Sequence, residues 1–363
     1  MFKRFFLLPL FAGVIMAGCT RSEKREFEKS ISFEKNLLNT KNLELVCQLS
    51  EDSILLKNIL NFTILNDSSF VVVDGRNAYL YDISGNFKKQ FGNSGQARGE
   101  MISPSLVYAT SDFVYIWCST LRKFLIFDHD TNFMRELSGF KGFVKKFVVD
   151  SSNETIYIFS SGFFNELENK TTDVIDVYNI TKESSKKFGE RCSEDEVLSV
   201  FDNSGGLYVE ANRLIYLHPG NMIIYDHDLN SDKSVRYKID DKAFHTTKLT
   251  SSIRDVIQNR SKLTVYLNKN SIVKGLFKNN DQFIIASEIG QNDFDERGRI
   301  TSTQKRKVKL YIFDSSFNPN RTILYDYINS PNIVIKSNYM YFLTLNINND
   351  DQIFTLNRIS LSE

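Results

Sequence analysis

From about residue 40 onward the chain is a succession of short apolar runs, rich in Val, Ile, Phe and Tyr, separated by clusters of Asn, Asp, Ser and Gly. Runs this short, with β-branched and aromatic residues and period-two alternation, predict strands; the polar clusters predict turns. One mark recurs, a strand ending in an aromatic or aliphatic residue, then Asp or Asn, then a polar turn: AYLYDISG at 78–85, KFLIFDHD at 123–130, VIDVYNIT at 174–181, MIIYDHDL at 222–229, KLYIFDSS at 309–316 and IFTLNRIS at 353–360. The marks fall at 82, 128, 179, 226, 314 and 357, so the gaps are 46, 51, 47, 88 and 43 residues. Four short antiparallel strands with their turns make a propeller blade of about 40–50 residues, so the spacing predicts one blade per mark.

Each period fills out as four strands. The first reads NFTILND, SFVVVDG, AYLYDISG and FKKQFG, and the second SLVYATSD, FVYIWCS, KFLIFDHD and FMRELSG. The third is VKKFVVDSS, TIYIFSSG, VIDVYNIT and SSKKFGE; the fourth is VLSVFDNSG, GLYVEAN, MIIYDHDL and SVRYKID. SIVKGLFKNN, QFIIASEIG, VKLYIFDSS and RTILYDY form the fifth, while NIVIKSN, YMYFLTLN and IFTLNRIS leave the sixth one strand short. LELVCQL at 43–49 has the right length and alternation to supply the missing strand. The expected fold is therefore an all-β, six-bladed β-propeller over residues 41–363, its ring closed by an N-terminal strand that covers an otherwise open sheet edge. The 88-residue gap admits two readings. KLTSSIRDVIQNRSK at 248–262 places Leu249, Ile253, Val256 and Ile257 on one helical face, with Ser251 or Ser252 as cap, and predicts a helical insertion at about 241–270 between blades four and five. LTVYLNKN at 263–270 instead resembles the repeated mark and leaves a seventh blade as the alternative.

The N-terminus has a different pattern. Lys3 and Arg4 precede an apolar run from Phe5 to Met16, and Ala17-Gly18 lead into Cys19. A basic segment, a short apolar core and small residues before a cysteine predict a lipoprotein signal peptide over 1–18, with Cys19 the lipid-bearing first residue of the mature protein. The apolar run is too short to span a bilayer core, which takes about 20 residues. Residues 19–40, charged at first and without clear periodicity, read as a tether with a short ordered piece towards its end. The expected location is the cell envelope, lipid-anchored at the outer membrane, with either face open.

Composition narrows the function. Removing Lys3 and Arg4 with the leader takes the formal charge from +1 to −1, so no basic excess points to nucleic acid. Cys47, Cys118 and Cys192 are odd in number and widely spaced, with no C-x-x-C pair for zinc or redox chemistry. His129 and His227 each sit in an Asp-His-Asp triplet, but neighbours on a strand point to opposite faces, so polar turns are the expected role. His218-Pro219-Gly220 reads as a turn, and His245 lies near the insertion. No catalytic or metal-ligating set is assigned and no cofactor is expected, although the Asp/Asn-rich turns NDSS at 66–69 and NNDDQ at 348–352 suit a structural calcium. Asp52-Ser53-Ile54 fits a short bacterial O-glycosylation pattern.

The sharpest local motif is FGNSGQARGEMISPSLV at 91–107, where Gly92, Gly95, Gly99 and Glu100 punctuate the link from one blade's outer strand to the next blade's inner strand. FGERCSED at 188–195 echoes it faintly. A strand, then FG, two residues, G, three residues and GE resembles the linker of NHL-type propeller repeats, and with the lipobox the chain resembles the six-bladed propeller lipoproteins of Bacteroides-like bacteria. Ala97-Arg98 stands where that pattern often has Gly-Pro. The resemblance implies the same architecture and envelope location but no agreed reaction. The expected function is a non-enzymatic binding scaffold for a glycan, peptide or protein partner, held to the membrane through the Cys19 lipid. The alternative is a metal-dependent propeller hydrolase or lyase.

Overall fold

A computed structural model describes residues 27–33, 37–39, 43–50, 56, 58–140, 144–160, 174–189, 204–247, 253–291, 307–326, 332–348 and 351–361. Cys19, the Asp52-Ser53-Ile54 triplet, Cys192, Leu249 and the two serine cap positions lie outside these residues. Three strands precede the first blade: β1 (Phe27–Ser32), β2 (Leu37–Asn39) and β3 (Glu44–Gln48). Blade one is β4 (Asn61–Asn66), β5 (Ser69–Val73), β6 (Ala78–Asp82) and β7 (Phe87–Phe91). Blade two is β8 (Pro104–Ala109), β9 (Phe113–Cys118), β10 (Lys123–Asp128) and β11 (Phe133–Leu137). Blade three is β12 (Val144–Asp150), β13 (Thr155–Ser160), β14 (Ile175–Asn179) and β15 (Ser184–Phe188). Blade four is β16 (Gly206–Glu210), β17 (Arg213–Leu217), β18 (Ile223–Asp228) and β19 (Lys233–Asp240). Blade five is β20 (Ile272–Asn279), β21 (Gln282–Ile289), β22 (Lys307–Asp314) and β23 (Pro319–Asp326); blade six has β24 (Ile333–Lys336), β25 (Tyr339–Asn348) and β26 (Asp351–Ser360).

The six inner strands β4, β8, β12, β16, β20 and β24 each touch the next, and β24 returns to β4, so the blades form a closed ring. The apolar core divides into six clusters, one between each adjacent pair of blades. Strand periodicity explains this division. On β9, Val114, Ile116 and Cys118 pack towards blade one, while the alternating Tyr115 and Trp117 pack towards blade three. Both faces of a blade are thus buried, which is why middle strands read as continuous apolar runs. Trp117, the single tryptophan, contacts Phe124 and Phe140 in this second cluster.

Closure comes from β3, as the alternation predicts. It pairs antiparallel with β26, Glu44 opposite Arg358 and Cys47 opposite Leu356. Arg358 donates to both carboxylate oxygens of Glu44 at 3.0 and 2.7 Å. Cys47 and Leu49 then enter the cluster between blades six and one. At the β6–β7 turn, a Cβ on Gly85 (φ +89°) would lie 2.0 Å from the Gln48 carbonyl oxygen, so glycine is what lets the closing strand approach. Ser50 N–H donates to Gly85 O at 2.9 Å, tying the first blade to the seam.

Three features differ from the sequence reading. The stretch 19–40, read as a tether, carries two strands: β1 lies parallel to β19 outside blade four, and β2 parallel to β23 outside blade five. Ile31 is buried against blades four and five, and Phe33 packs edge-on to Tyr311 and Phe313. In blade four, GLYVEANRLIYL is a hairpin of two strands, β16 and β17, so the inner strand is GLYVE, and most of VLSVFDNSG lies outside the described residues. The turn hides in the sequence because it is only Ala211-Asn212, with Ala211 at φ +51°. The repeated mark also shifts: Asp228 rather than Asp226 caps the blade-four turn, and Asn357 lies mid-strand, because blade six has no hairpin into its outer strand. The predicted helical insertion is present: α1 (Ile253–Gln258) and α2 (Arg260–Lys269) lie between blades four and five, so LTVYL is helical and does not supply the alternative seventh blade. Val256 is buried, as the predicted helical face requires.

Deleting residues 44–48 is expected to abolish cooperative unfolding followed by Trp117 fluorescence. Truncation through residue 39 should leave a folded ring with a lower melting temperature. Gly85→Ala should cost at least about 2 kcal/mol in urea denaturation, since it combines backbone strain with a clash at the seam.

Candidate functional site

The two rims of the ring are built differently. At one rim every connection is two to four residues: 67–68, 110–112, 151–154, 211–212, 280–281 and 337–338 after the inner strands, and 83–86, 129–132, 180–183, 229–232 and 315–318 before the outer ones. The strand ends that flank every longer connection, including those at 91/104, 160/175, 188/206, 240/272 and 289/307, lie at the opposite rim. The long-connection rim surrounds one mouth of the central channel and is the candidate functional surface, because loops on a rigid scaffold are where recognition residues are carried.

The short-turn rim is made of side-chain-capped turns. Asp82 accepts from the backbone of Ser84 and Asn86, Asp128 from Asn132, Asp228 from Asn230 and Ser231, and Asp314 from Ser316 and Asn318. This is the Asx-turn chemistry that favours Asp and Asn at such corners. Both Asp-His-Asp triplets belong here. Asp226 pairs with Arg213, His227 stacks on Phe188 and bonds Ser234 at 2.9 Å, and His129 contacts the Thr110 carbonyl at 3.1 Å. Asn66, in the first candidate calcium turn, uses its amide oxygen to accept from Ser68 and Ser69. The second turn lies partly outside the described residues.

Buried charge sits at the other end. Asp74, Lys123, Lys145, Glu288 and Lys309, the buried carboxylates and ammoniums among the described residues, all lie at the long-connection ends of their strands. Lys123 Nζ is 2.8 Å from Glu136 and 3.3 Å from the Ala97 carbonyl oxygen. Asp241, directly after β19, accepts from Lys309 and from the Tyr311 hydroxyl at 2.7 Å. Burial pushes the Asp241 carboxyl up, but these hydrogen bonds outweigh it and hold the group below the ordinary aspartate range. The helical insertion is stapled here by Asn270 and Ser271, both fully buried. Ser271 Oγ accepts from the His245 and Gly290 N–H groups at 3.1 and 3.0 Å. His218 lies in a cage of Phe159, Tyr216 and Tyr225.

The glycine linker also lies at this rim, and its predicted residues meet. Glu100 accepts from the Ala97 N–H at 2.9 Å, and a Cβ on Gly95 would lie 1.9 Å from the same carboxylate oxygen. Gly92 and Gly99 approach so closely that a Cβ on Gly92 would sit 2.8 Å from the Gly99 carbonyl oxygen. Gly99 N–H reaches Glu136 at 3.3 Å, placing the linker over the Lys123–Glu136 pair. The motif therefore builds a compact loop around one carboxylate, and Ser94 joins it to Asn77 of the β5–β6 turn at 3.0 Å.

The channel encloses a cavity of about 290 Å³ lined by all six inner strands. Most of its wall is apolar, with Asn61, Asn332 and Lys146 towards the long-connection mouth and Lys278 and Lys336 towards the short-turn mouth. Lys146 reaches past blade four to the Lys274 carbonyl oxygen of blade five at 2.7 Å. Lys336 donates to the Ile64 and Leu65 carbonyl oxygens of blade one, and burial pushes its pKa down. Lys278 pairs with Glu210. Among the described residues the wall adds the Thr63, Tyr108 and Tyr208 hydroxyls to these amines and amides and carries no carboxylate, imidazole or thiol. Sequence reasoning missed these lysines; their only signal is a lysine inside or ending an otherwise apolar inner strand. Among the described residues, no three His, Cys, Asp or Glu side chains gather as a metal site. Burial raises the Cys47 thiol to about 11 and Cys118 to about 12, values that disfavour the reactive thiolate.

No protein-family model matches the chain, and no curated protein matches its sequence. Solved structures do match in shape. A protein of Bacteroides fragilis named for its expected export superimposes with a TM-score of 0.59 at 13% identity, over 92% of this chain and 99% of its own. A member of the DUF4221 family from Bacteroides vulgatus gives 0.56 at 9% identity, over 88% and 98%. At these identities the likeness shows the fold, a six-bladed propeller spanning nearly the whole chain. No helix among the described residues is long and apolar enough to cross a membrane.

Two outcomes follow. Gly95→Ala should displace Glu100 from the linker and lower stability by about 1–3 kcal/mol, read by thermal denaturation. Burial raises the Asp82 carboxyl, but Lys88 and Asn86 hydrogen bonds prevail and hold it at about 2. Its folded pKa is depressed, so its stabilisation is full above the unfolded value of about 3.9 and is lost as pH falls towards 2. Asp82→Asn should lessen the pH dependence of urea denaturation in that window.

Proposed function

We propose that this protein is an exported lipoprotein, anchored by an acylated Cys19 in the outer membrane, whose propeller is a non-enzymatic scaffold binding a glycan, peptide or protein at its long-connection rim. The observation that carries the reading is the asymmetry of the ring. All connections longer than four residues, and the buried charged groups, belong to one rim, while the other consists of capped turns. Such an arrangement combines a rigid base with variable recognition loops, as in other scaffolds that present loops from one end of a sheet assembly. The channel lining favours binding over catalysis, since its polar groups among the described residues are amines, amides and hydroxyls. The lipobox and the FG…GE linker, similar to NHL-type repeats, favour the envelope location.

The test is affinity capture of the tagged lipoprotein from its native membrane, with identification of the bound species. Replacing 161–173 or 292–306 by short Gly-Ser links should abolish recovery of that species while the Trp117-monitored unfolding transition persists. Equivalent Ser and Gly changes in the 129–132 or 315–318 turns should leave recovery unchanged. Capture insensitive to the long connections, or metal-dependent turnover of an ester or lactone panel by the purified protein, would replace this reading with the enzymatic one.

A further inference from the structure

The path of the N-terminal strands sets the rim at which the chain enters the fold. β1 runs parallel to β19, with Phe27 opposite Val235 and Ser32 opposite Asp240. β19 begins after the capped turn 229–232 and ends at the insertion, so it runs from the short-turn rim to the long-connection rim. The chain therefore enters the fold on the short-turn side of blade four. Ile31, buried between blades four and five, and Ser30, whose hydroxyl is 2.5 Å from the Asp240 carboxylate, hold β1 in that register. Lys29 lies over the Tyr237 ring at 5.4 Å on the same edge.

We propose that the short-turn rim beside blade four is the membrane-proximal surface, and that the long-connection rim projects away from the bilayer. This rests on lipidation at Cys19. Eight residue steps separate Cys19 from Phe27, at most about 28 Å of fully extended chain. With the short-turn rim down, that length is free slack between the bilayer and the fold. With the long-connection rim down, the chain would first have to run back along the outside of blade four. The register from Val235 to Asp240 covers five steps, about 17 Å, before the insertion and the other long connections are cleared. More than half of the reach is consumed, and the loops of that rim would be pressed against lipid. Strand direction thus places the partner-binding face towards open solvent and the capped turns towards the lipid headgroups.

The experiment uses the full lipoprotein with Cys192→Ser, in which Cys47 and Cys118 are buried. Palmitate incorporation that is lost on Cys19→Ala establishes the anchor. A donor dye is then placed at Asn230→Cys or at Lys242→Cys, exposed positions at opposite ends of blade four, and the protein is reconstituted into phosphatidylethanolamine–phosphatidylglycerol vesicles carrying a headgroup acceptor. Energy transfer several-fold more efficient from residue 230 than from residue 242 is expected. Equal transfer, meaning a propeller lying on its side, or stronger transfer from residue 242 overturns the orientation while leaving the anchored scaffold intact. Absence of acylation at Cys19 overturns both.

Discussion

The ring depends on one seam, the pairing of β3 with β26. Each of the six apolar clusters is shared by two blades, so none is complete within a single sheet. Blade six in particular owns only three strands of its own, and its fourth comes from the opposite end of the chain. Without it the backbone of β26 is an open edge and the cluster containing Cys47, Leu49, Phe62 and Leu356 loses one wall. At about 25 cal/mol per Å² of apolar surface buried, two or three such side chains are comparable to a domain's net stability. The Arg358–Glu44 pair adds register more than energy, because Glu44 is exposed.

Closure also explains the strand path that precedes it. To reach the edge of blade six from outside, the chain passes blades five and four, and β1 and β2 cover part of those outer edges. Among the described residues, blades one, two and three have no such cover; β7 and β15 expose charged or polar side chains, Lys88, Lys89, Gln90, Lys186 and Lys187, while β11 exposes Met134 between the half-buried Phe133 and Arg135. Charge on an edge strand opposes pairing with another chain, so blades one and three protect their edges by different means from blades four and five.

Most of the architecture was legible in the sequence because its determinants are local. Strand alternation, the Asp and Asn corners at 82, 128, 179 and 314, the spare strand at 43–49 and the helical face through Val256 are all short-range patterns. What escaped depends on partners distant in sequence or on very tight turns. FEKSIS shows little apolar periodicity, since its Ile31 is buried only by meeting Ile239 and blade five; tertiary pairing outweighs its weak strand signal. Ala211-Asn212 lacks the glycine that usually announces a two-residue hairpin, so two strands read as one. Of the candidate site, the glycine linker was visible as a motif, but its carboxylate-centred geometry and the ion pair beneath it were not, because Lys123 and Glu136 belong to strands rather than to the motif.

The channel lysines follow from the same separation of roles. An ammonium on an inner strand faces a narrow apolar space, where burial disfavours its charge unless acceptors are supplied. Here the acceptors are contributed by other blades: Lys274 O for Lys146, the Ile64 and Leu65 carbonyl groups for Lys336, and Glu210 for Lys278. Each lysine therefore ties one inner strand to another that is remote in sequence, and its donors are directed at protein. The channel is thereby a bracing element of the ring, and the connections at the rim can vary without disturbing the ties.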